Sequence, residues 1–527
     1  MKDRVSLTDF LMYHKETHPI SFHMPGHKGR STLYGIYGFG DFVKNVVGND
    51  ITEIPGADAL QQPRERIRDI MEGYAGLYGA KHTELLVNGS SAGLMASILS
   101  SVPRGGKLLM GRNSHKSVYG ALRLGGIDPV YIMPEIDGET GLQLGLDPDK
   151  IEAALIEDPG IKAVLVTSPN YYGVLSDIER IASIVHLHGR ILIVDQAHGA
   201  HLKFFDYLRS EDGLPHRASE NCGADIVVDS THKTLLSFTG SAILNICTER
   251  PDVSRISELL RMLQTTSPSY LLMGSLDINQ QILRMDGYNL IKNWDADIKY
   301  FYEEAAQIAG LGLIDRIDLD ETKVSITMSA LGLSGPELAE ELEKRNIWVE
   351  LTHGDYVMLM TGLGNERGDY EDVLSALRDL SAHHGGRIQG VEPESSASKT
   401  ESAAQEAVQK QAKNEAQAAN KNASQPVDKI AELRTPSSDS ALIERLEQRK
   451  IPDTYEEVPL YSAEGRVLYE SIIPYPPGTP IACPGEVLSK SVILYVRDQL
   501  VAQHVVLGVD EEGRVKVESD CVLFKEI

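Results

Sequence analysis

The chain has 527 residues, 42% of them hydrophobic and 24% charged, a globular composition and a length that suits several domains. Its formal net charge of −25 argues against nucleic acid as a partner, because phosphate binding needs clustered Lys and Arg, and it suits a small cationic ligand. The four cysteines, Cys222, Cys247, Cys483 and Cys521, form no CxxC pair, and neither the N-terminus nor any apolar run resembles a signal peptide or a membrane span. The expectation is a soluble cytoplasmic protein with no zinc site and no disulfide framework.

From about residue 80 to 250 one pattern recurs: a short apolar run, a polar cluster, then a helix-compatible segment. The runs are "TELLVNGSS", "GKLLMGRNSHKS", "IKAVLVTSPNYYG", "RILIVDQAHGAH" and "ADIVVDSTHK". Runs rich in Val, Ile and Leu between helical patterns predict an α/β domain with a mostly parallel sheet covered on both faces. Ligands of such sheets bind outside the carboxyl ends of the strands. Residues 281–384 read as a smaller α/β domain, with "KVSITMSALGLSGPELAEELEKRNIWVEL" as strand, helix, strand and "YVMLMTGLG" as a further strand. Residues 385–440 are rich in Ala, Gln, Glu, Lys and Ser and have almost no large apolar residues. They read as a low-complexity insert with nothing to bury. Residues 441–527 return to a globular pattern of α+β type.

The strand ends carry the chemistry. "NGSSAGLMASIL" sets Ser90, Ser91 and Ala92 where a strand turns into a helix, a place where backbone N–H groups and the helix dipole can cradle a phosphate. His115, in "RNSHKS", could lie flat against a planar ring. Asp195 directly follows four apolar residues. Alone it reads as a buried cap; beside a heterocyclic nitrogen it would hold a proton there and make the ring an electron sink. His198 and His232 fit a turn or a place against such a ring equally. His198 and His201 have helical spacing, but no acidic or cysteine partner at matching spacing supports a metal. Lys233 ends "ADIVVDSTHK", where burial would depress its pKa and let it form a Schiff base with an aldehyde. In that order, a phosphate cradle, a flat His, a ring-nitrogen carboxylate and a nucleophilic Lys describe a pyridoxal phosphate site.

These motifs resemble those of the bacterial Orn/Lys/Arg decarboxylases, of the aspartate-aminotransferase fold (fold type I of the pyridoxal phosphate enzymes). "FHMPGHKG" at Phe22–Gly29 is similar to the family's N-terminal signature, and "NDITEIPGADAL" to the acidic stretch after it. "VNGSSAG", "RNSHKS", "SPNYYGV", "VDQAHGAH", "STHKTL" and "PYPPGTPIACPGE" follow in family order. "DQAHG" departs from the commoner DEAHG, and "PPGTP" from PPGIP. The resemblance covers nearly the whole chain outside the insert. It implies an N-terminal arm and cofactor-binding large domain over residues 1–280 and a C-terminal decarboxylase domain over 441–527.

It also implies roles. Lys233 carries the cofactor, Asp195 binds the ring nitrogen, His115 stacks on the ring and Ala197 packs beneath it. Ser90, Ser91 and Ser230, with Ala92 beside them, hold the phosphate. His232 handles protons or the carboxylate, and His198 is either a ring-hydroxyl partner or structural. A homodimer or higher homo-oligomer is implied, with Gln264–Tyr270 reaching the partner's phosphate. The substrate is a basic amino acid: arginine, giving agmatine for polyamine synthesis, or else lysine or ornithine. Its distal cation needs a carboxylate, for which Glu457, Glu470 and Glu486 are available. Two rival classes are an α-oxoamine synthase and a non-catalytic scaffold.

Overall fold

The computed structural model describes residues 6–388, 446–452, 454–475, 478–501 and 504–519. The insert expected at 385–440 therefore lies outside the described residues, except that 385–388 continue the helix Arg367–Ile388.

Seven strands form the central sheet: β1 (His82–Leu86), β2 (Lys107–Gly111), β3 (Asp128–Ile132), β4 (Ile161–Thr167), β5 (Ile191–Asp195), β6 (Ile226–Asp229) and β7 (Ala242–Ile246). Their order across the sheet is β1-β7-β6-β5-β4-β2-β3. β7 runs antiparallel to both its neighbours, while β2 to β6 pair in parallel. Side chains along each strand alternate between two apolar layers. Leu108, Met110, Leu165, Ile193 and Val228 pack with Leu94, Ile98 and Val118 from helices on one face. Leu109, Val164, Val166, Leu192, Val194 and Val227 pack with Ile151, Leu155, Ile181 and Val185 on the other. Strands buried on both faces have no polar side, which is why the runs read as continuous Val, Ile and Leu.

A 36-residue helix, Tyr270–Ala305, leaves this domain and kinks at Asp286 (φ −146°). The expected boundary at 280/281 falls inside it. The helix feeds one continuous core in which Tyr74, Tyr78 and Leu276 join Trp294, Phe301, Ile326, Leu359 and Tyr370. Beyond it, Lys323–Thr327, Tyr356–Met360, Leu351–His353 and Gly312–Leu313 form a small antiparallel sheet. The N-terminal Ile20–Phe22 pairs in parallel with Ile347–Val349, so "FHMPGHKG" is anchored on this small domain.

The C-terminal region has its own core around Leu468, Ile472, Leu488, Val492, Val496 and Val515. Two antiparallel strand pairs and the helix Lys490–Val501 enclose it. It docks on the large domain through Arg112, whose guanidinium donates to Glu486 (2.9 Å), Pro480 O (2.7 Å) and Tyr119 Oη (2.9 Å).

Candidate active site

The carboxyl ends of β2, β4, β5 and β6 open onto a cavity of about 570 Å³. Its floor is the large domain. Its walls come from the N-terminal segment (His23 to Pro25), the small domain (Trp348 to Glu350) and the C-terminal region (Pro474, Thr479, Ile481, Tyr495). Of the residues singled out from sequence, Ser90, His115, Asp195, Ala197, His198, His232 and Lys233 all line it.

Lys233 lies on a single helical turn, Thr231–Thr234, whose two threonines are buried. The turn is gripped from outside: Gly26 N–H donates to His232 O (2.8 Å). A Cβ at Gly26 would stand 2.3 Å from Leu235 O, so this close approach requires glycine. Lys233 Nζ lies 2.8 Å from His198 Nε2. The side chain is half-buried, exposed only toward the cavity that it lines. Desolvation lowers its pKa to about 8, against the opposing pull of Asp195 and Glu350. At neutral pH that leaves about a tenth of it as free amine, far more than an ordinary lysine would supply.

Asp195 is 3% exposed. Burial pushes its carboxyl upward, opposed by Lys233 and by the Ala197 N–H, which donates to Oδ1 at 3.2 Å. A cation placed against it would restore its charge. Burial holds the histidines neutral: His115 falls to about 3 and His232 to about 4, and His198 lies well below the usual imidazole range. The Nδ1 of His232 faces Ser241 O at 2.7 Å. A carbonyl only accepts, so Nδ1 donates and Nε2 keeps a free lone pair. His115 caps the helix Lys116–Gly125, its Nδ1 accepting from the Ser117 N–H at 3.2 Å.

Among the described residues, the buried polar atoms without a hydrogen-bond partner include Ser230 Oγ, Thr167 Oγ1 and His198 Nδ1, all beside this site. Such atoms are costly unless a ligand satisfies them. Ser90, Ser91 and Ala92 occupy the first turn of the helix Gly89–Ser101, and Asn88 makes no side-chain cap there. The free N–H groups of that turn suit an anion. A phosphorylated heterocycle bearing hydroxyl and aldehyde groups fits this set. Among the described residues no cluster of His, Cys, Asp or Glu is arranged for a metal. His201 is instead spent on Asp320 (3.1 Å) and Thr234 Oγ1 (3.2 Å).

The carboxylates expected to read the substrate are placed outside this chain's cavity. Glu486 is 2% exposed and committed to Arg112 and to the Cys483 N–H (2.7 Å). Glu457 faces Arg514 (3.7 Å) and Glu470 pairs with Lys516 (2.8 Å), the two cations standing on the strand Arg514–Glu518. None of the three lines this chain's cavity. Gln264 is buried and bonded to the backbone of Val87 and Leu85, so it braces the end of β1. Sequence reasoning missed Thr167, Tyr171 and Glu350. Glu350 ends the apolar run "IWVE", the same pattern that marked the large-domain strands, but it lies at a bend in the small domain, outside the central sheet.

Comparison with known proteins agrees with this geometry. Residues 5–311 match the family model of the Orn/Lys/Arg decarboxylase major domain, and residues 439–508 match that of the C-terminal domain. An arginine decarboxylase of Bacillus anthracis is 29% identical over 95% of this chain and 94% of its own length. One of Bacillus subtilis is 30% identical over the same shares. The solved lysine decarboxylase A of Pseudomonas aeruginosa superposes with a TM-score of 0.67 at 20% identity, covering 97% of this chain and 80% of its own, which supports the fold. The chain belongs to the Orn/Lys/Arg decarboxylase family, and is a pyridoxal phosphate-dependent amino-acid decarboxylase of the type I fold.

Proposed function

We propose that the protein decarboxylates L-arginine to agmatine, feeding polyamine synthesis, as a cytoplasmic homodimer or higher homo-oligomer. The observation that carries the chemistry is the Lys233 amine, held at about 8 on the floor of a cavity shared with Asp195, His115 and unsatisfied polar atoms. The choice of arginine is supported by relatives of that name that match over nearly their full length. A cytoplasmic setting is supported by the free thiols of Cys222, Cys247 and Cys483. Self-association is supported by large apolar side chains left in water at the N-terminus, among them Leu7, Phe10, Leu11 and Val47. The match across both domains removes the ground for the synthase and scaffold readings.

When bound, pyridoxal phosphate supplies an aldehyde for the amino group and a ring that accepts the electrons freed as the carboxylate leaves. Ser90, Ser91, Ala92 and Ser230 hold its phosphate in this reading. Asp195 keeps a proton on the ring nitrogen, which the low dielectric around it makes effective. His115 and Ala197 would pack against the cofactor ring. Lys233 would hold the aldehyde of the cofactor, and its side chain, mostly ammonium at neutral pH with a pKa of about 8, would be placed to return a proton to the substrate carbon. His198 holds the Lys233 Nζ, and the free Nε2 of His232 is a second proton carrier. The walls from three regions exclude water, which disfavours a free carboxylate and assists its loss as CO₂.

The test is to offer arginine, lysine and ornithine together and identify the amine. Agmatine is expected; cadaverine or putrescine instead would move the reading to lysine or ornithine.

A further inference from the structure

Among the described residues lining the cavity, only Asp195 and Glu350 carry carboxylates. Asp195 is on the floor and is tied to the Ala197 N–H. Glu350 stands on the wall formed by the small domain, between the strands Ile347–Val349 and Leu351–His353. Both its oxygens are already oriented: Oε1 accepts from Tyr171 Oη at 2.7 Å, and Oε2 accepts from the Met24 N–H at 2.9 Å. A carboxylate has about four acceptor positions, so each oxygen retains a lone pair for a ligand. No Lys or Arg among the described residues forms an ion pair with Glu350. The nearby imidazoles of His23 and His198 are kept neutral by burial and do not compete for it. Tyr171 in turn packs edge-on against His198, with ring centroids 4.7 Å apart, so this carboxylate belongs to the same rigid shell as Lys233.

We propose that Glu350 is the specificity-determining residue, accepting the distal cation of the substrate side chain, an inference that rests on the basic amino-acid substrate proposed above. A guanidinium presents two parallel N–H donors, and a carboxylate fixed at both oxygens meets them without losing rotamer freedom. Tyr171 and Met24 are the positioning partners.

The experiment compares ligands that differ only in the distal charge, on holoenzyme whose visible cofactor band is intact. In Glu350→Gln, KM for arginine and the calorimetric Kd for agmatine should each rise on the order of ten- to a hundredfold. Inhibition by L-norleucine, which has no distal charge, should be unchanged. Equal weakening of all three ligands shows that Glu350 only braces Met24 and Tyr171, and overturns the proposal; so does a variant that binds all three as wild type does. Should Glu350→Gln lose the band, wild type still decides: agmatine must bind it at least about tenfold more tightly than n-pentylamine, which lacks the distal charge, and equal affinity overturns the proposal. If wild type releases cadaverine or putrescine, only the arginine reading fails, and the same comparison is made with lysine or ornithine.

Discussion

Lys323 and Lys233 both touch His198, one at its carbonyl and the other at its imidazole, yet their surroundings are opposite. Lys323 is fully buried, and its ammonium donates to Asp320 (2.9 Å), His198 O (3.0 Å) and Thr322 Oγ1 (3.3 Å). All three protons are used, and the carboxylate of Asp320 is held well below the usual range by His201 and Lys323. Lys233 has one hydrogen-bond partner among the described residues, a neutral imidazole, and no carboxylate in pairing distance. Burial with paired charge makes a strut, whereas burial without it leaves an amine that loses its proton more readily. Lys28, whose Nζ donates to the carbonyls of His23 and Met360, also lacks a carboxylate partner among the described residues and falls further, to about 7.

The sharpest way to break this contrast is Lys233→Ala. Turnover should fall by at least about three orders of magnitude, with loss of the visible band. Borohydride reduction of wild type followed by peptide mapping should place the adduct on Lys233, and an adduct on Lys28 or Lys323 would reverse the comparison. Asp195→Asn comes next. Cofactor should stay bound through the phosphate contacts while kcat drops on the order of a hundred- to a thousandfold, because an amide cannot hold the ring proton. Near-normal turnover with full cofactor would make Asp195 only structural.

Stability should separate the two lysines in the opposite direction. Lys323→Met strands Asp320 in the core and should cost about 3–5 kcal/mol, read as a lower denaturant midpoint. Lys233→Met in cofactor-free protein removes a charge that no carboxylate compensates, so its midpoint should match or exceed wild type. The smallest effect is in pH. The native pKa of Lys233, about 8, lies below its ordinary 10.5. Between those values the unfolded chain holds a proton that the native state lacks, so stability rises with pH across this window. The penalty is fully present below about 8. Cofactor-free Lys233→Met should lack the part of this rise that wild type shows, and identical pH profiles would show that Lys233 is not desolvated.

The large domain was legible because its signal is local. A strand buried on both faces must be a Val, Ile and Leu run, and the residue that ends such a run stands at the carboxyl edge of the sheet. Ser90, His115, Asp195 and Lys233 were therefore readable one by one, and their shared chain order named the chemistry. Side-chain commitments were not readable. Glu350 and Glu486 each end a short segment bearing a carboxylate, and nothing local tells them apart. Glu486 is consumed by Arg112, 374 positions away in the chain, while Glu350 is turned into the cavity by Tyr171 and Met24, 179 and 326 positions away.

By itself the sequence determined the alternation of strands and helices and the cofactor class, because each depends on periodicity or on residues adjacent in the chain. Only the tertiary structure decided which charges are spent and which remain for a ligand. Pairing depends on distance in space and on desolvation, and both are set when the N-terminal segment, the small domain and the C-terminal region close around the ends of the strands.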